Sequence, residues 1–252
     1  METMLQAQST ETLAVYLPDG TRQSIAPENL RRLIAFGCCG DALAPEAAAY
    51  AAEHGFAEAP EEWKRLPMEQ LEQVVVSLLK PNRVAHVLGC RDTAVALAKR
   101  WGADEQDAAR AGLLHDVTKA LDGPVQLTLC GGYSIMLDEF STQNPKTLHA
   151  LTGSLVAERI FGENEAVVAA IRSHTTGKAA MNTLEKIIYV ADYMEPNRDF
   201  PGVEELRSLA ETNLHKALKL GLEMTLAVLK ARGSDISPES GDALRYLEEI
   251  GI

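Results

Sequence analysis

Aromatic residues are scarce in this chain. Phe, Trp and Tyr together make up 5 % of it, whereas Ala and Leu recur throughout, a balance that favours helices over sheets. Positive charge is in deficit: 24 Lys and Arg against 36 Asp and Glu leave a formal charge of −12. Nonspecific binding to a nucleic acid polymer rests on neutralising phosphates with Lys and Arg, so this balance argues against it. Any anionic substrate must then meet a local positive site. No long apolar span reads as a membrane segment, and no secretory leader is expected. The four cysteines, Cys38, Cys39, Cys90 and Cys130, show no CxxC spacing. A reducing cytoplasm is the simplest home for them. Internal repeats and low-complexity tracts are missing as well.

What is present is enough for a full core: 252 residues, 46 % of them hydrophobic. That length suits one large domain, or a medium domain with an appendage. The opening METMLQAQST is polar and expected to fray. Thr12 to Ile25 reads as a short hairpin around Pro18-Asp19-Gly20. Two short helices follow, near 27–36 and 45–53, each opened by a proline in its first turn. AEAPEEWKRLP, Ala57 to Pro67, reads as a linker and divides an N-terminal appendage, residues 1–62, from a main domain, residues 63–252.

Beyond the linker the pattern is helical almost throughout. Met68 to Leu79 is amphipathic, Pro81 starts a helix that runs to Gly102, and Asp104 caps one that ends in His115-Asp116. Further helices are expected at 147–161, 165–174, 183–194, 203–230 and 237–249, with a long loop over 121–145 that holds one short helix. The fold class is all-α.

Six histidines are spread along the chain. His86 sits one turn into its helix and shares a face with Arg83. His115, with Asp116, follows the apolar run AGLL; His149 opens a helix, His174 closes the apolar AVVAAI, and Asp192 lies in KIIYVADYM. Each ionisable group thus falls where the chain is otherwise hydrophobic. A single histidine beside apolar residues is most often a hydrogen-bonded core residue. A cluster of buried charge, however, costs several kcal/mol unless its members pair or hold a cation. His86, His115, Asp116, His149, His174 and Asp192 are nitrogen and oxygen donors in a mix that suits Fe, Mn or Zn. Six ligands would crowd a single ion that must also hold water, whereas a carboxylate such as Asp116 can bridge two ions about 3.5–4 Å apart. His54 and His215 fall in polar surroundings and are assigned to the surface.

The order His, His-Asp, His, His, Asp resembles the HD-domain metal-dependent phosphohydrolases. The words RVAH at 83–86, AGLLHDVTK at 111–119, LHALTG at 148–153, IRSHTTG at 171–177 and IIYVADYMEPNR at 187–198 look like the YqeK family, the symmetrical bis(5′-nucleosyl)-tetraphosphatases. The likeness runs from about Leu66 to Ala231. It implies an HD-domain helical bundle, a di-iron or similar dinuclear site (Mn, Co or Zn being the other candidates), and hydrolysis of diadenosine tetraphosphate to two ADP by a metal-activated hydroxide. Carried over position by position, His86, His115, Asp116 and Asp192 would hold one ion. Asp116, as bridge, with His149 and His174 would hold the other. Arg83, Lys119, Thr175 and Arg198 would face the polyphosphate, with Asp116, Lys119 and Arg198 catalytic. Phosphoryl transfer needs cations around the phosphate oxygens and leaving group, and these basic residues supply the local positive site that an acidic protein requires.

The segment Ile25 to Phe56 has its own likeness, to the C-terminal tail of nicotinate-nucleotide adenylyltransferases, at Ile25, Arg31, Gly37, Leu43, Pro45, Tyr50, His54 and Phe56. Ala26-Pro27-Glu28 stands where that family has a Ser-Ser-Thr phosphate contact, and the nucleotide-binding sheet that should precede it is missing. The likeness therefore implies a remnant without adenylyltransferase activity, serving as a packing element or as the face of a homodimer. Two other functions are compatible with the motifs. One is an HD hydrolase of another nucleotide, and the other is a non-catalytic metal- or nucleotide-sensing module. The presence of every ligand type together with the basic residues weighs against the module.

Overall fold

The computed structural model describes residues 12–252; the opening stretch expected to fray lies outside them. Strands β1 (Ala14–Tyr16) and β2 (Arg22–Ser24) pair antiparallel across the turn at Pro18-Asp19-Gly20, with Val15 opposite Gln23. Helices α1 (Pro27–Ala35) and α2 (Pro45–Glu53) each begin at a proline, whose fixed φ suits the first helical turn. Arg31 and Arg32 reach from α1 to the end of α3 (Met68–Leu78). There Arg31 donates to Ser77 O at 3.0 Å and Arg32 to Leu78 O at 2.6 Å. Cations on the last carbonyls of a helix satisfy acceptors that have no partner within it.

The stretch read as a linker is a docked segment. Trp63 stacks on Phe161 with centroids 5.7 Å apart, Arg65 N donates to Phe161 O at 2.7 Å, and Leu66 is buried. Buried Arg110 braces it further, donating to Leu66 O at 2.9 Å while it forks onto both oxygens of Glu163 at 2.6 and 2.7 Å. Apolar residues from the hairpin, from α1 and from the later helices belong to one continuous core.

That core is built around α4 (Pro81–Trp101), α5 (Glu105–Leu114), α8 (Leu148–Arg159), α9 (Glu165–Ser173) and α10 (Thr183–Met194). α4 lies along α5 and α10, and α9 along α5, α8 and α10. Gly112 lets α4 and α5 approach closely, since a Cβ there would lie 2.8 Å from Arg91 Cα. α10 opens with a full capping box between Asn182 and Glu185, and Asp104 caps α5 by accepting from Asp107 N at 2.8 Å.

Two expectations need correction. The region 121–145 holds two helices, α6 (Gly123–Gly132) and α7 (Glu139–Gln143), rather than one. Gly123-Pro124 and Gly131-Gly132 read as breakers, but Pro124 occupies the first turn of α6 and its apolar residues are held by burial of Val125, Leu129 and Cys130. The span 203–230 is two helices, α11 (Val203–Thr212) and α12 (Leu214–Ala231). Asn213 divides them: its backbone is extended and its side chain accepts from Lys216 N at 3.0 Å, capping α12. α13 (Pro238–Glu249) packs on α12 and closes the bundle. Among the described residues no helix is long and apolar enough to cross a membrane, and all four cysteines are free.

Candidate metal centre and cavity

His115 and Asp116 follow directly on α5, whose apolar run Ala111 to Leu114 is buried against its neighbours. The turn that holds them is pinned from behind. Gln126 donates to Thr118 O at 2.8 Å, Thr118 Oγ1 meets Thr152 Oγ1 at 2.8 Å, and Thr152 donates to Gln126 Oε1 at 2.5 Å. His86 comes from the first turns of α4, His149 from the start of α8, His174 from just past α9, and Asp192 from the last turn of α10.

Every one of the four imidazoles has its Nδ1 engaged away from the centre. His115 Nδ1 lies 2.7 Å from Gly112 O, His149 Nδ1 2.9 Å from Lys146 O, and His174 Nδ1 2.7 Å from Ile171 O. His86 Nδ1 is 3.0 Å from Glu195 Oε1. A carbonyl or carboxylate can only accept, so each Nδ1 carries the proton and each Nε2 presents a lone pair. Those four Nε2 atoms converge. His86 and His115 face each other Nε2 to Nε2 at 3.3 Å, and the His115 and His174 rings and the His174 and His149 rings stand edge to face.

Asp116 sits among them, 1 % exposed. Its Oδ2 lies 3.7 Å from His86 Nε2 and 3.6 Å from His115 Nε2, and its Oδ1 lies 3.6 Å from His149 Nε2 and 3.8 Å from His174 Nε2. One carboxylate thus turns one oxygen to each histidine pair. Asp192 Oδ1 is 3.0 Å from His86 Nε2 and 3.8 Å from His115 Nε2. Asp116 Oδ1 is buried and has no hydrogen-bond partner among the described residues. The facing lone pairs of His86 and His115 and the unpartnered buried oxygen of Asp116 leave acceptors that a cation would satisfy. The groups able to hold an ion are His86, His115 and Asp116; Asp116, His149 and His174; and His115, His174 and Asp192. The first lacks Asp192, which the sequence reading grouped with it, the second holds the three residues grouped together there, and the third joins residues of both sets.

Electrostatics keep these groups in their ligating forms. Burial pushes the His115 imidazole down to about 4 and the His149 imidazole well below its usual range. Burial would by itself raise the Asp116 and Asp192 carboxyls, but the polar groups around them hold both well below the ordinary carboxylate range, with the Lys119 ammonium facing Asp116 and the Arg198 guanidinium on Asp192.

The centre forms one wall of a cavity of about 800 Å³. Arg83, Lys119, Thr175 and Arg198 all line it, so every residue expected to meet a polyphosphate is brought to one place. Arg83 Nε donates to Asp116 Oδ2 at 2.6 Å, and Arg198 spans the Asp192 side chain and carbonyl at 2.7 and 2.9 Å. Lys119 Nζ lies 2.7 Å from His149 Nε2, and Thr175 Oγ1 lies 2.9 Å from the same nitrogen. Desolvation by the cavity wall lowers the Lys119 pKa, with Asp116 opposing the shift. His54 is exposed, as expected, whereas His215 is half-buried, 2.9 Å from Lys186 Nζ.

Sequence reading missed several contributors. Glu195 and Asn197 lie inside the quoted word YMEPNR, but nothing local marks them as supports of a histidine far back in the chain. The far wall of the cavity is apolar, with Tyr193, Phe200, Met224 and Val228, and only the packing of α10 against α12 brings these together.

The fold and this set of residues define the HD-domain class, and the HD domain matches residues 83–197. The symmetrical bis(5′-nucleosyl)-tetraphosphatase of Bacillus subtilis is 37 % identical over 173 residues, 68 % of this chain and 92 % of that protein. The protein of the same name from Halalkalibacterium halodurans is 40 % identical over 67 % of this chain and 90 % of its own. A crystal structure from Clostridium acetobutylicum, described as a predicted HD superfamily hydrolase involved in NAD metabolism, superposes with a TM-score of 0.71. It is 36 % identical and covers 73 % of this chain and 98 % of that one. The chain belongs to the symmetrical bis(5′-nucleosyl)-tetraphosphatase family of HD-domain proteins.

Proposed function

We propose that this protein hydrolyses diadenosine tetraphosphate symmetrically, adding one water across the central phosphoanhydride to release two ADP. The observation that carries the reading is the meeting of two features on one wall. Four Nε2 lone pairs and the two oxygens of Asp116 converge there, beside three cations that line the same cavity.

Metal ions held by His86, His115, Asp116, His149, His174 and Asp192, two in number and iron before Mn, Co or Zn, would supply Lewis acidity at phosphate oxygens and a water acidified to near neutrality. The remaining work falls to the chain itself. Arg83 and Arg198 present guanidiniums suited to paired phosphate oxygens, and Lys119 adds a point charge. Together they neutralise the polyanion at a local site in a protein of net charge −12. Thr175 can donate its hydroxyl proton to a phosphate oxygen between His149 and His174. Fixed cations in a partly desolvated cavity stabilise charge that grows on the leaving phosphate more than they would in water.

The division we propose sets residues 1–62, a remnant without adenylyltransferase activity, apart from the hydrolase at 63–252. The caps that Arg31 and Arg32 place on α3 support a packing role for the remnant, and size-exclusion chromatography tests its use as a dimer face. Four free thiols and an anionic nucleotide substrate fit a cytoplasmic enzyme.

Metal-loaded protein incubated with diadenosine tetraphosphate, resolved by ion-exchange chromatography, tests the reading. ADP alone, lost in His115→Ala and Asp116→Ala, is the expected outcome. ATP with AMP would place the attack elsewhere on the chain of phosphates. No product with any of the four metals would favour a sensing module.

A further inference from the structure

A second cavity, of about 490 Å³, adjoins the first and shares Thr175 and Thr225 with it. α12 separates the two. Its Met224 and Val228, one turn apart, line the first cavity, whereas Thr225 and Leu229, the next such pair, line the second, with Thr225 on the ridge between them. Both cavities open on Thr175, whose hydroxyl lies 2.9 Å from His149 Nε2 and 3.1 Å from His174 Nε2. The candidate metal centre therefore stands where two arms meet.

The arms differ from the vertex in charge. Arg83, Lys119 and Arg198 all cluster beside the metal ligands. Tyr193, Phe200 and Val228 make the outer part of the first arm apolar. The second arm is lined by apolar Phe140, Pro145 and Leu229, with a single cation, Lys146, and a single carboxylate, Asp235, which accepts from Asn144 at 3.3 Å. A cleft that is cationic in the middle and nearly neutral and half-apolar at both ends is complementary to a ligand with an anionic centre and an uncharged ring system at each end.

We propose that the second arm binds the second nucleoside of the substrate, so that a dinucleoside polyphosphate spans both arms with its central phosphates at the metal centre; this rests on the function proposed above. Phe140 and Leu229 flank the base, and Lys146 meets the phosphate nearest it. Symmetrical cleavage then follows from the position of the centre between two nucleoside sites.

Leu229→Trp, which fills the second arm with an indole, tests this by isothermal titration of metal-loaded protein. The probes are diadenosine tetraphosphate carrying a methylene bridge in place of the central oxygen, and ADP, which needs only one arm. Wild-type protein is expected to bind the dinucleotide at least tenfold tighter than ADP. Leu229→Trp should remove that preference, raise KM for diadenosine tetraphosphate at least tenfold, and leave ADP affinity within twofold. Phe140→Ala, which removes a wall without adding bulk, should weaken dinucleotide binding alone, and circular dichroism melts verify that both variants fold. Unchanged dinucleotide affinity in both variants, or a parallel loss for ADP, would overturn the second arm while leaving the hydrolase reading intact. Wild-type protein that yields ATP and AMP, or that does not cleave the dinucleotide, would overturn the hydrolase reading itself, and the arm with it.

Discussion

Glu195 Oε1 accepts the Nδ1 proton of His86 at 3.0 Å, joining residues 109 positions apart. The carboxylate is itself held: its Oε2 accepts from Asn197 N at 2.7 Å and Asn197 Nδ2 at 2.8 Å. A Cβ on Gly89 would come within 2.5 Å of that oxygen, so the glycine leaves the space the carboxylate occupies. The whole unit fixes the tautomer of His86 and aims its Nε2 at Asp192 and His115. Glu195→Ala should lower metal affinity or kcat by about 10–100-fold, the usual effect of removing a partner behind a ligand. Glu195→Gln, which still presents an acceptor oxygen, should retain most of both. Metal content by mass spectrometry, read beside activity, separates this from a loss of folding; full metal loading of Glu195→Ala with normal rates would contradict the positioning role.

Asp116 divides its oxygens between two histidine pairs, which predicts an unequal response to substitution. Asp116→Asn keeps the shape but replaces one oxygen with a donor, so one histidine pair loses its shared ligand. On the two-ion centre proposed above, the bound metal should fall from two ions to one or none per chain, and activity should fall by about 100–1000-fold, the scale on which single catalytic electrostatic contributions operate. Retention of two ions would show that Asp116 is not the bridge.

The close approach of α4 and α5 carries the main-chain frame of the site. Gly112→Ala must push Arg91 Cα away from 2.8 Å, and backbone does not yield as a side-chain tip does. The expected cost is about 1–3 kcal/mol, or about 2–4 °C of Tm for each kcal/mol in a chain of this size. Differential scanning calorimetry reads it directly. A variant as stable as wild type would show that the two helices separate freely.

Thiol chemistry should divide the cysteines. Cys39 is exposed, with its Sγ 2.8 Å from Glu58 Oε1, whereas Cys38, Cys90 and Cys130 are buried. Alkylation of the native protein should therefore stop at one thiol. Burial pushes the Cys38 thiol up to about 12 and the Cys130 thiol up to about 11, above the value of about 9 for an unfolded chain. Because the neutral form is the one held in the fold, this stabilisation is complete below pH 9 and is lost as pH rises from there through the folded values. Each thiol should contribute about 1.4 kcal/mol of destabilisation per pH unit over that range. Denaturant midpoints at pH 7 and pH 10, compared between wild type and Cys38→Ala/Cys130→Ala, measure it as the difference between their slopes.

Most helices were legible because each carries its own evidence. Asp104 caps α5, prolines open α1, α2 and α4, and apolar residues recur at helical spacing from Met68 onward. The same signals failed where two rules competed. Asn213 reads as one more polar residue in a long helix until its backbone is seen extended, and the glycines of α6 read as breakers although burial overrides their low helix propensity. The segment before Pro67 lacks periodicity, so its docking through Trp63 on Phe161 had no local trace.

The sequence by itself determined the candidate ligand types, their order along the chain and the apolar setting of each, and these pointed to the family. Tertiary structure alone decided that Asp116 turns one oxygen to each histidine pair, that Glu195 stands behind His86, and that α12 parts two cavities over Thr175. The reason is one of range. Helix caps and periodicity act between residues a turn apart, whereas convergence of α4, α5, α8, α9 and α10 on one point depends on how their buried faces fit together, and no spacing within a single helix records that.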